Sequence, residues 1–583
     1  MPLGLQMSDI KLQRREIPKQ AASLIKLPDL VANIFAARGV ENEQDVRYTL
    51  DQLAPATSLS NLERCVQRIA DAVTKQQKIL MVGDYDADGA TSTAVAIRGL
   101  KMFGAERVSY LVPNRFEYGY GLTPELIAAA IDQGVSADLM ITVDNGISNH
   151  DGVVAANETG ADVIITDHHL PGKSLPAAYA IINPNLPDDE FPSKNLAGVG
   201  VMFYVLVALR QELLARDWFN SKNTQSPKLA DLLDLVALGT VADVVPLDRN
   251  NRILVEQGLR RIRSGKAAPG VLALLKVAGK HPERVTATDL GFAAGPRLNA
   301  AGRLEDMALG IECLITDDQT RAQALASQLD ALNMERRDIE ADMQQQAEEI
   351  LRDNQDLTAD QKLSLCLYDA EWHQGVIGIV AARLKEKVHR PVIVFANEND
   401  DYIKGSARSI PGLHIRDVLQ RVDSMHPDLI IKYGGHAMAA GLSLLPENLD
   451  TFEQAFEAAI KETTDPQVFE QVILSDGELE KSDLTIEMAA AIRSAGPWGQ
   501  RFPEPVFDGY FVVTAARLLK EKYFKLVLSP DESTELFLDA IAFRCNPEKL
   551  PKVGDRIRIA YKLDVNHFRG LDNLQLMIEH IFE

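Results

Sequence analysis

Three aspartates recur at every second position directly after a short apolar run. The run is Ile79–Val82, and Asp84, Asp86 and Asp88 follow it between two glycines. Carboxylates this close repel one another, so some of them would be protonated unless a cation lay among them. A solvated acidic turn is the alternative interpretation. The residue types and their spacing therefore predict half of a divalent-metal site.

Candidate ligands also follow two later apolar runs. Residues 138–143 lead directly into Asp144, and residues 161–166 lead, one residue further on, into His168 and His169. In an open α/β sheet, ligands bind outside the carboxyl ends of the strands. Because three such ends carry candidate ligands, we expect them to meet at one edge of a single sheet.

A fourth candidate, Asp243, stands alone among apolar residues after a run at 232–239 that is typical of a helix. A buried aspartate without a partner is costly, so it should have a cation or hydrogen-bond donors nearby. An aspartate that caps the start of a helix is the alternative.

Carboxylates and imidazoles without thiolates suit Mn²⁺ or Mg²⁺ better than structural zinc. Five aspartates are more than one ion needs, whereas two ions that share a bridging aspartate account for all five. Two such ions stabilise both the attacking and the leaving oxygen of a phosphoryl displacement. We therefore expect a metal-activated water to attack a phosphodiester. The predicted metal ligands are Asp84, Asp86, Asp88, Asp144, His168 and Asp243, with His169 adjacent.

Arginines in small-residue segments are candidates for phosphate contact. Arg297 and Arg303 lie in the segment 295–303, and Arg408 lies in 404–409. Guanidinium groups bind phosphate oxygens in a bidentate manner. Surface arginines at the entry of a helix are the alternative for the first segment.

The segment 434–441 is also rich in small residues and contains His436. Glycines allow a backbone to lie close to phosphate oxygens. We expect 404–409 and 434–441 to be loops, and His436 to be a ligand or an acid–base group. A histidine in an ordinary structural role is the alternative.

The elements that must position these side chains alternate between strands and helices from residue 76 onward. Strands are predicted at 78–82, 108–112, 138–143 and 161–166, so the first sheet should be mainly parallel. A stretch without glycine or proline, 317–355, predicts a long amphipathic helix.

A second α/β region follows this helix, and short alternating runs after about residue 465 predict a small antiparallel barrel. Barrels of this kind bind single strands, although an ordinary barrel with buried aromatics is the alternative. The expected fold class is α/β, with two α/β domains joined by a long helix, plus a C-terminal OB-like β-barrel. The expected division is 1–75 as a helical extension of the core, 76–316 as the catalytic domain, 317–355 as the connecting helix, 356–462 as the second α/β domain and 463–583 as the barrel.

Composition excludes several classes of protein. The four cysteines are scattered, which argues against a disulfide framework or a structural zinc site. The longest apolar run is too short for a membrane span, which needs about 20 residues, and we expect no signal peptide and a cytoplasmic location. No dinucleotide fingerprint or P-loop follows any strand.

The net charge is −22, which alone argues against nucleic acid. The segment 251–303, however, has ten basic and three acidic residues, or +7. Such a block can follow a polyanion locally, and a solvated helix face is the alternative.

Three motifs, in their order along the chain, resemble those of the DHH phosphoesterases. They are Asp-Tyr-Asp-Ala-Asp-Gly at 84–89, Val-Asp-Asn-Gly at 143–146 and Asp-His-His at 167–169. Residues 239–247 look like the fourth motif of that family, and 434–441 are similar to the associated domain that closes over its site. With Pro-Arg-Leu-Asn-Ala-Ala-Gly-Arg at 296–303 and the C-terminal barrel, the whole chain resembles the family's 5′→3′ exonucleases for single-stranded DNA.

The resemblance implies a two-metal core with DNA held between the two α/β halves. It makes His169 a contact of the scissile phosphate, Arg115, Ser406 and Arg408 holders of the 5′ end, and Tyr120 a base-stacking residue. The complete set expected to bind DNA or phosphate is Arg115, Tyr120, Asn145, Arg297, Asn299, Arg303, Ser406, Arg408 and His436.

The resemblance also implies a monomer that works in recombination and in mismatch and base-excision repair. Its partners would be single-stranded DNA with a 5′ end, single-stranded-DNA-binding protein and a DNA helicase. A DHH phosphoesterase for short oligonucleotides or small phosphates is the nearest alternative. A non-catalytic DNA-binding scaffold that holds metal structurally is an alternative of another class.

Overall fold

The structure is a computed structural model that describes residues 10–114, 117–353, 362–399, 401–519, 523–530, 536–543, 549–568 and 570–582. Its first half contains six strands: β1 (Lys11–Arg14), β2 (Ile79–Val82), β3 (Val108–Leu111), β4 (Leu139–Val143), β5 (Asp162–Thr166) and β6 (Ala180–Ile182). Strands β2 to β6 form one parallel sheet in the order β3-β2-β4-β5-β6. The parallel sheet and its first four strands confirm the prediction from the sequence, which gave neither the strand order nor β6.

Helices cover this sheet and fill the first half. They are α1 (Lys19–Ser23), α2 (Asp29–Ala36), α3 (Leu62–Thr74), α4 (Ala87–Met102), α5 (Pro124–Asp132), α6 (His150–Glu158), α7 (Gly198–Ala215), α8 (Trp218–Ser221), α9 (Leu233–Ala242), α10 (Arg249–Arg263), α11 (Pro269–Val277), α12 (Ala287–Asp289), α13 (Gly295–Leu304) and α14 (Ala308–Ile315). A π-helical turn, Leu290–Ala294, joins α12 to α13.

Strand β2 shows why the sheet is central. All four of its side chains are buried, with Ile79 and Met81 in the larger core and Leu80 and Val82 in a separate core on the other face. A strand that is apolar on both faces must be covered on both faces. Its carboxyl end therefore emerges from the core directly at the acidic turn.

The connecting helix is α15 (Gln319–Asp353), close to the predicted 317–355. The second half has helices α16 (Ile377–Val388), α17 (Ile415–Met425) and α18 (Leu449–Thr463). Its strands are β7 (Leu365–Tyr368), β8 (Val392–Asn397), β9 (Ile403–Arg408), β10 (Lys432–Gly435) and β11 (Ala439–Leu444), in the sheet order β10-β11-β9-β8-β7.

The prediction that 404–409 and 434–441 are loops was wrong. They lie mostly within β9, β10 and β11, which pair in antiparallel fashion. Glycine belongs here for packing reasons, since a Cβ at Gly405 would lie 2.5 Å from the ring of Phe395. Small residues therefore mark a crowded sheet face that local propensity did not reveal.

The rest of the chain holds β12 (Val472–Ser475), α19 (Ile486–Ala495) and five further strands. These are β13 (Phe507–Leu519), β14 (Tyr523–Ser529), β15 (Leu538–Ala542), β16 (Arg556–Phe568) and β17 (Leu571–Phe582). They form the predicted barrel, which is closed, but it is not wholly antiparallel as expected, because β15 and β17 pair in parallel. Strand β12 pairs in parallel with β1, which no local pattern indicated.

Helix α7 is, among the described residues, the one helix long and apolar enough to cross a membrane by length and composition. In the structure 61% of it is buried, between neighbours such as α3, α4 and α9. A core helix passes the same test, so the finding is weak evidence for a span.

Candidate active site and nucleic-acid interface

The acidic turn begins where β2 ends, and α4 starts within it. Helix α4 begins at Ala87 because Asp86 caps it. The Asp86 Oδ1 atom accepts the backbone N–H groups of Asp88 (2.9 Å) and Gly89 (3.0 Å). An aspartate at this position satisfies N–H groups that the helix leaves unpaired, so Asp86 both orders the turn and keeps a second oxygen for the site.

The side chain of Asp88 is anchored by the start of α7. Its Oδ2 and Oδ1 atoms accept the backbone N–H groups of Gly198 (2.6 Å) and Val199 (3.0 Å). Gly239 and Gly198 keep the surrounding space open. A Cβ at Gly239 would lie 2.9 Å from Asp88 Oδ1, and one at Gly198 would lie 2.6 Å from the Cβ of Asp144.

Asp144 takes an unusual backbone conformation to reach the site. Its φ of 63° places it in the left-handed region, where a residue other than glycine is uncommon. The following residue, Asn145, is fully buried, and its amide donates to the carbonyls of Val82 (3.0 Å) and Val143 (2.9 Å). Asn145 thus ties the ends of β2 and β4 together.

The predicted ligands converge as expected. Three groups have ligand atoms within 4.8 Å of one another, and together they contain every predicted metal ligand. The groups are Asp84, Asp86 and Asp144; Asp88, His168 and Asp243; and Asp144, His168 and His169. Asp243 reaches this cluster from the carboxyl end of α9, so the alternative that it caps the start of a helix was wrong.

The chemistry of the cluster fits divalent cations. Asp144 Oδ1 and His168 Nε2 lie 3.0 Å apart, and both are buried without a hydrogen-bond partner among the described residues. His168 Nε2 is also 3.6 Å from Asp243 Oδ2. Buried polar atoms that converge without bonding suit oxygen- and nitrogen-binding cations such as Mn²⁺ and Mg²⁺.

The pKa shifts of the cluster residues also favour a bound cation. Burial, followed by repulsion from neighbouring carboxylates, raises the pKa of Asp88, Asp144 and Asp243 above the ordinary aspartate value. Burial and the nearby His169 lower the pKa of His168. Without a cation the carboxyls would therefore tend to hold protons, whereas a cation would favour the ionised ligands.

Asp167, to which the sequence analysis gave no role, organises the two histidines. Its Oδ1 accepts the backbone N–H groups of His168 (2.7 Å) and His169 (3.0 Å) and lies 2.7 Å from His169 Nδ1, and its Oδ2 accepts the N–H of Ile147 (2.9 Å). Burial opposes charge on both groups, but their pairing raises the pKa of His169 to about 9 and lowers that of Asp167 to about 2. The pairing with Asp167 therefore favours the protonated form of His169.

Asn183 and Asn185 were also missed by the sequence analysis. Their amides donate to the carbonyls of His169 (2.8 Å) and His168 (2.6 Å). The available signal was an Asn-Pro-Asn segment directly after the apolar run that forms β6.

Tyr120 and His436 enclose His169. The Tyr120 hydroxyl donates to the Asp144 carbonyl (3.2 Å) and lies 3.4 Å from His169 Nε2. The ring of His436, from the second half, stacks on His169 at a centroid distance of 5.6 Å. The two halves therefore meet directly over the metal cluster.

Helix α13 runs along the acidic turn. Asn299 Oδ1 accepts the N–H of Ala87 (2.8 Å), and a Cβ at Gly302 would lie 1.7 Å from the Tyr85 carbonyl oxygen. At its carboxyl end, Arg303 Nη1 donates to the carbonyl of Gly375 in the second half (3.0 Å).

Ser406 and Arg408 lie near this junction. Arg408 Nη1 donates to Ser406 Oγ (3.0 Å), and a Cβ at Gly378 would lie 2.6 Å from Arg408 Nη2 and 2.8 Å from Ser406 Oγ. Gly378 is in the first turn of α16, so a hydroxyl, a guanidinium and a helix start lie together. Such a combination suits an anion.

Arg297, a predicted DNA contact, is not part of this assembly. Arg297 donates to the Ala293 carbonyl (2.7 Å) and pairs with Asp330 of α15 (2.7 Å), so its charge is engaged within the protein. Arg115 lies outside the described residues.

Comparison with known proteins identifies three family models along the chain. The N-terminal domain of the DHH family matches residues 78–240, the DHHA1 domain matches 361–462, and the RecJ OB domain matches 475–580. Among curated proteins, the chain is 50% identical to the single-stranded-DNA-specific exonuclease RecJ of Salmonella typhimurium, over 98% of this chain and 99% of that protein. It is 49% identical to the RecJ of Escherichia coli over 98% and 99% of the two chains.

Solved structures give a consistent result. RecJ of Thermus thermophilus in complex with Mn²⁺ matches with a TM-score of 0.79 at 29% identity, covering 99% of this chain and 80% of that one. The same protein in complex with Mg²⁺ matches with a TM-score of 0.75 at 26% identity, covering 99% and 79%.

Proposed function

The chain belongs to the RecJ family of single-stranded-DNA-specific exonucleases, and from this membership we propose that it degrades single-stranded DNA from the 5′ end to mononucleotides. The observation that carries the proposal is the convergence of six metal-binding side chains, from the ends of three parallel strands and α9, directly under the second half. The alternative of a phosphoesterase for short oligonucleotides is not favoured, because the relatives that match the whole chain act on DNA strands.

The chain uses two divalent cations, Mn²⁺ or Mg²⁺. Asp84, Asp86 and Asp144 would hold one, and Asp88, His168 and Asp243 would hold the other, with Asp144 close enough to His168 to serve both. When bound, such cations supply a nucleophilic water at neutral pH and neutralise charge on the phosphate.

His169 binds the scissile phosphate in this proposal. Its pairing with Asp167 favours the protonated form, in which Nε2–H, beside the Tyr120 hydroxyl, would donate to a phosphate oxygen. Tyr120 and His436 border the same space, so they position the nucleotide around that phosphate. Asn145 and Asn299 act indirectly, because each holds backbone that carries ligands.

In this proposal, residues of the second half determine that digestion starts at the 5′ end. Ser406 and Arg408 at the start of α16 bind the 5′ end, together with Arg303 at the junction between the halves. Arg115 joins them by its match to the family pattern. A 5′ phosphate fixed there would place the first phosphodiester at the metal cluster and would give removal of one nucleotide at a time.

The cellular role, location, oligomeric state and partners of the protein are proposed from its resemblance to the family. The protein would act in recombination and in mismatch and base-excision repair, in the cytoplasm and as a monomer. A DNA helicase would expose its substrate, and single-stranded-DNA-binding protein would accompany it.

The test is digestion of 5′- and 3′-labelled single strands with Mn²⁺ by the unaltered chain and by Asp144→Asn. We expect release of labelled mononucleotide from the 5′ end, and a loss of about a thousandfold or more in Asp144→Asn with DNA binding retained, since the metal centre supplies several kcal/mol of charge stabilisation. Asp151→Asn, on the exposed start of α6, is the matched control.

Cleavage of dinucleotides alone would instead support the oligonucleotide phosphoesterase. If the unaltered chain hydrolyses no DNA and Asp144→Asn unfolds, the metal site is structural.

A further inference from the structure

Phe292 is the most exposed large apolar side chain among the residues that the structure describes. It is 83% exposed and lies in the π-helical turn Leu290–Ala294. Single exposed apolar side chains are common on proteins, so exposure alone means little. Its position relative to the metal cluster gives Phe292 its significance.

The π-helical turn is packed against the end of α9. A Cβ at Gly291 would lie 3.2 Å from Val241 Cγ1, and one at Gly295 would lie 3.1 Å from Ala242 Cβ. Helix α9 ends at this point, and Asp243 follows as its cap. Phe292 lies between the two glycines and its side chain is exposed, so it projects from a turn whose backbone packs against the segment that delivers Asp243.

The turn is held rigidly from the other side. Arg297 Nη1 donates to the Ala293 carbonyl (2.7 Å), while its Nη2 pairs with Asp330 of α15 (2.7 Å). Pro296 cannot donate to the carbonyl of Phe292, four residues earlier, because it has no N–H. Turns of the π type occur frequently at functional sites. The backbone that carries the ring is therefore fixed by contacts on both sides.

Helix α13 relates this ring to the path of a strand. The helix contacts the acidic turn through Asn299 and Gly302, and its carboxyl end reaches Gly375 of the second half through Arg303. At about 1.5 Å per residue, Phe292 lies about 10 Å from Asn299 along the helix axis. The proposed 5′-end pocket, formed by Arg303, Ser406 and Arg408, thus lies at one end of α13. The metal cluster follows along the helix, and Phe292 lies beyond its other end.

Two further exposed apolar side chains lie on the segments that contact this part of the chain, the end of α9 and the helix α15. Val244 is 63% exposed with a φ of 62°, directly after Asp243. A β-branched residue in that region is strained, so its surroundings must hold it there. Met334 is 53% exposed, one helical turn after Asp330, the partner of Arg297.

We propose that Phe292 is a stacking platform for a base of the DNA strand on the 3′ side of the scissile phosphate. This inference rests on the proposed function, because it requires a strand whose 5′ end lies at the carboxyl end of α13. Every base has a face that can stack on an aromatic ring, so the contact is tolerant of sequence. It holds the part of the strand that has not yet reached the metal cluster.

The test compares Phe292→Ala and Phe292→Trp with the unaltered chain on a long 5′-phosphorylated strand and on a 5′-phosphorylated dinucleotide. Stacking on one aromatic ring is worth about 1–3 kcal/mol per base. We therefore expect the KM and Kd of Phe292→Ala for the long strand to rise about tenfold, with kcat/KM for the dinucleotide unchanged, and Phe292→Trp to restore tight binding. Because the side chain is exposed, the variants should fold normally.

Ile131→Ala is the matched control. Ile131 is 53% exposed near the end of α5, at the edge of the sheet opposite the metal cluster. Equal affinity of Phe292→Ala and the unaltered chain for the long strand would overturn the inference, as would an equal loss on the dinucleotide. If the unaltered chain binds the strand through Phe292 but does not degrade it from the 5′ end, the proposed function is wrong. The inference that Phe292 stacks on a base is then still supported.

Discussion

The carboxylate of Asp88 takes part in two arrangements at once. Both of its oxygens accept N–H groups from the start of α7, and the carboxylate also lies within 4.8 Å of the ligand atoms of His168 and Asp243. The start of a helix stabilises negative charge, so α7 helps to keep a buried acid available as a ligand. The position of Gly198 is critical to this arrangement, because it donates to Asp88 and lies against Asp144.

Gly198→Ala is predicted to lower activity about a hundredfold while the protein stays folded. The new Cβ would lie 2.6 Å from the Cβ and 2.9 Å from the Cα of Asp144, so the ligand must move. Misplacement by about 1 Å costs about a hundredfold in rate, and overpacking costs about 1–3 kcal/mol of stability. Exonuclease kinetics and thermal unfolding measure the two effects.

Gly172→Ala is the control for this prediction. A Cβ at Gly172 would meet only the Ser174 carbonyl oxygen, at an ordinary 3.8 Å. Activity of Gly198→Ala equal to that of Gly172→Ala would show that Asp144 tolerates displacement.

At the same scale, the sequence predicted the metal ligands but not the residues that position those ligands. Asp84, Asp144 and His168 have side chains whose chemistry is visible in the sequence. Asp167 and Gly198 act through backbone N–H groups that come together only after folding. No local pattern distinguishes Gly198 from other glycines, and the Asp-His-His motif marks Asp167 without showing which N–H groups its side chain accepts.

Among the elements, the first and last parts of the chain are joined by β1 and β12. Their parallel pairing brings Arg14 to Asp508 on the barrel, where Asp508 accepts from Arg14 Nε (2.9 Å), Ser475 Oγ (2.6 Å) and Arg558 Nη2 (3.0 Å). The strand β1 is short and mostly polar, so it had no pattern from which pairing could be predicted. The parallel sheet could be predicted because its strands are buried on both faces and are apolar throughout.

Asp508→Asn is predicted to lower the free energy of unfolding by about 2 kcal/mol at neutral pH, because hydrogen bonds to charged groups are worth about 1.5–3 kcal/mol. Burial opposes ionisation of Asp508, but the bonds from Arg14, Ser475 and Arg558 outweigh it and lower its pKa. A lowered pKa means that the stabilisation is present above the unfolded value, near pH 4, and is lost as the pH falls further. Urea denaturation at several pH values measures this.

The difference between Asp508→Asn and the unaltered chain should therefore shrink below about pH 4. Asp539→Asn is the control, since Asp539 pairs with Lys525 (3.4 Å) on the exposed surface of the barrel. A difference that stays constant down to pH 2 would show that charge on Asp508 does not stabilise the protein.

In the whole molecule, charge is paired more extensively than the sequence suggested. The basic segment 251–303 was expected to follow a polyanion, but Arg261 pairs with Asp231 and Arg284 with Asp572. Arg252 is buried over the ring of Phe502. A count of charges along the chain cannot reveal these partners, because they are distant in sequence, and the local surplus therefore overstated the free positive charge.

The two halves of the molecule are joined by α15, which contributes to two separate cores. Ala322, Ala326 and Leu329 pack in the first half, and Met343 and Ala347 pack in the second. Between them lies a buried polar group: Arg336 donates to Glu340 (2.6 Å) and to Asn333 (2.9 Å), and Arg383 of α16 donates to Glu340 (3.0 Å). Glu340 thus links the middle of α15 to the second half, which carries Ser406, Arg408 and His436.

Glu340→Ala is predicted to destabilise the second half by about 3 kcal/mol, because removing one partner of a buried ion pair leaves Arg336 uncompensated. Since each half has its own core, native-state hydrogen exchange should lose protection in β7 and β8 but keep it in β2 and β4. Activity on single strands should fall because the 5′-end pocket is no longer held over the metal cluster. Glu349→Ala, at an exposed position on the same helix, should change stability by less than about 0.5 kcal/mol. Equal loss of protection in both halves would show that they unfold as one unit and that α15 is not a joint between them.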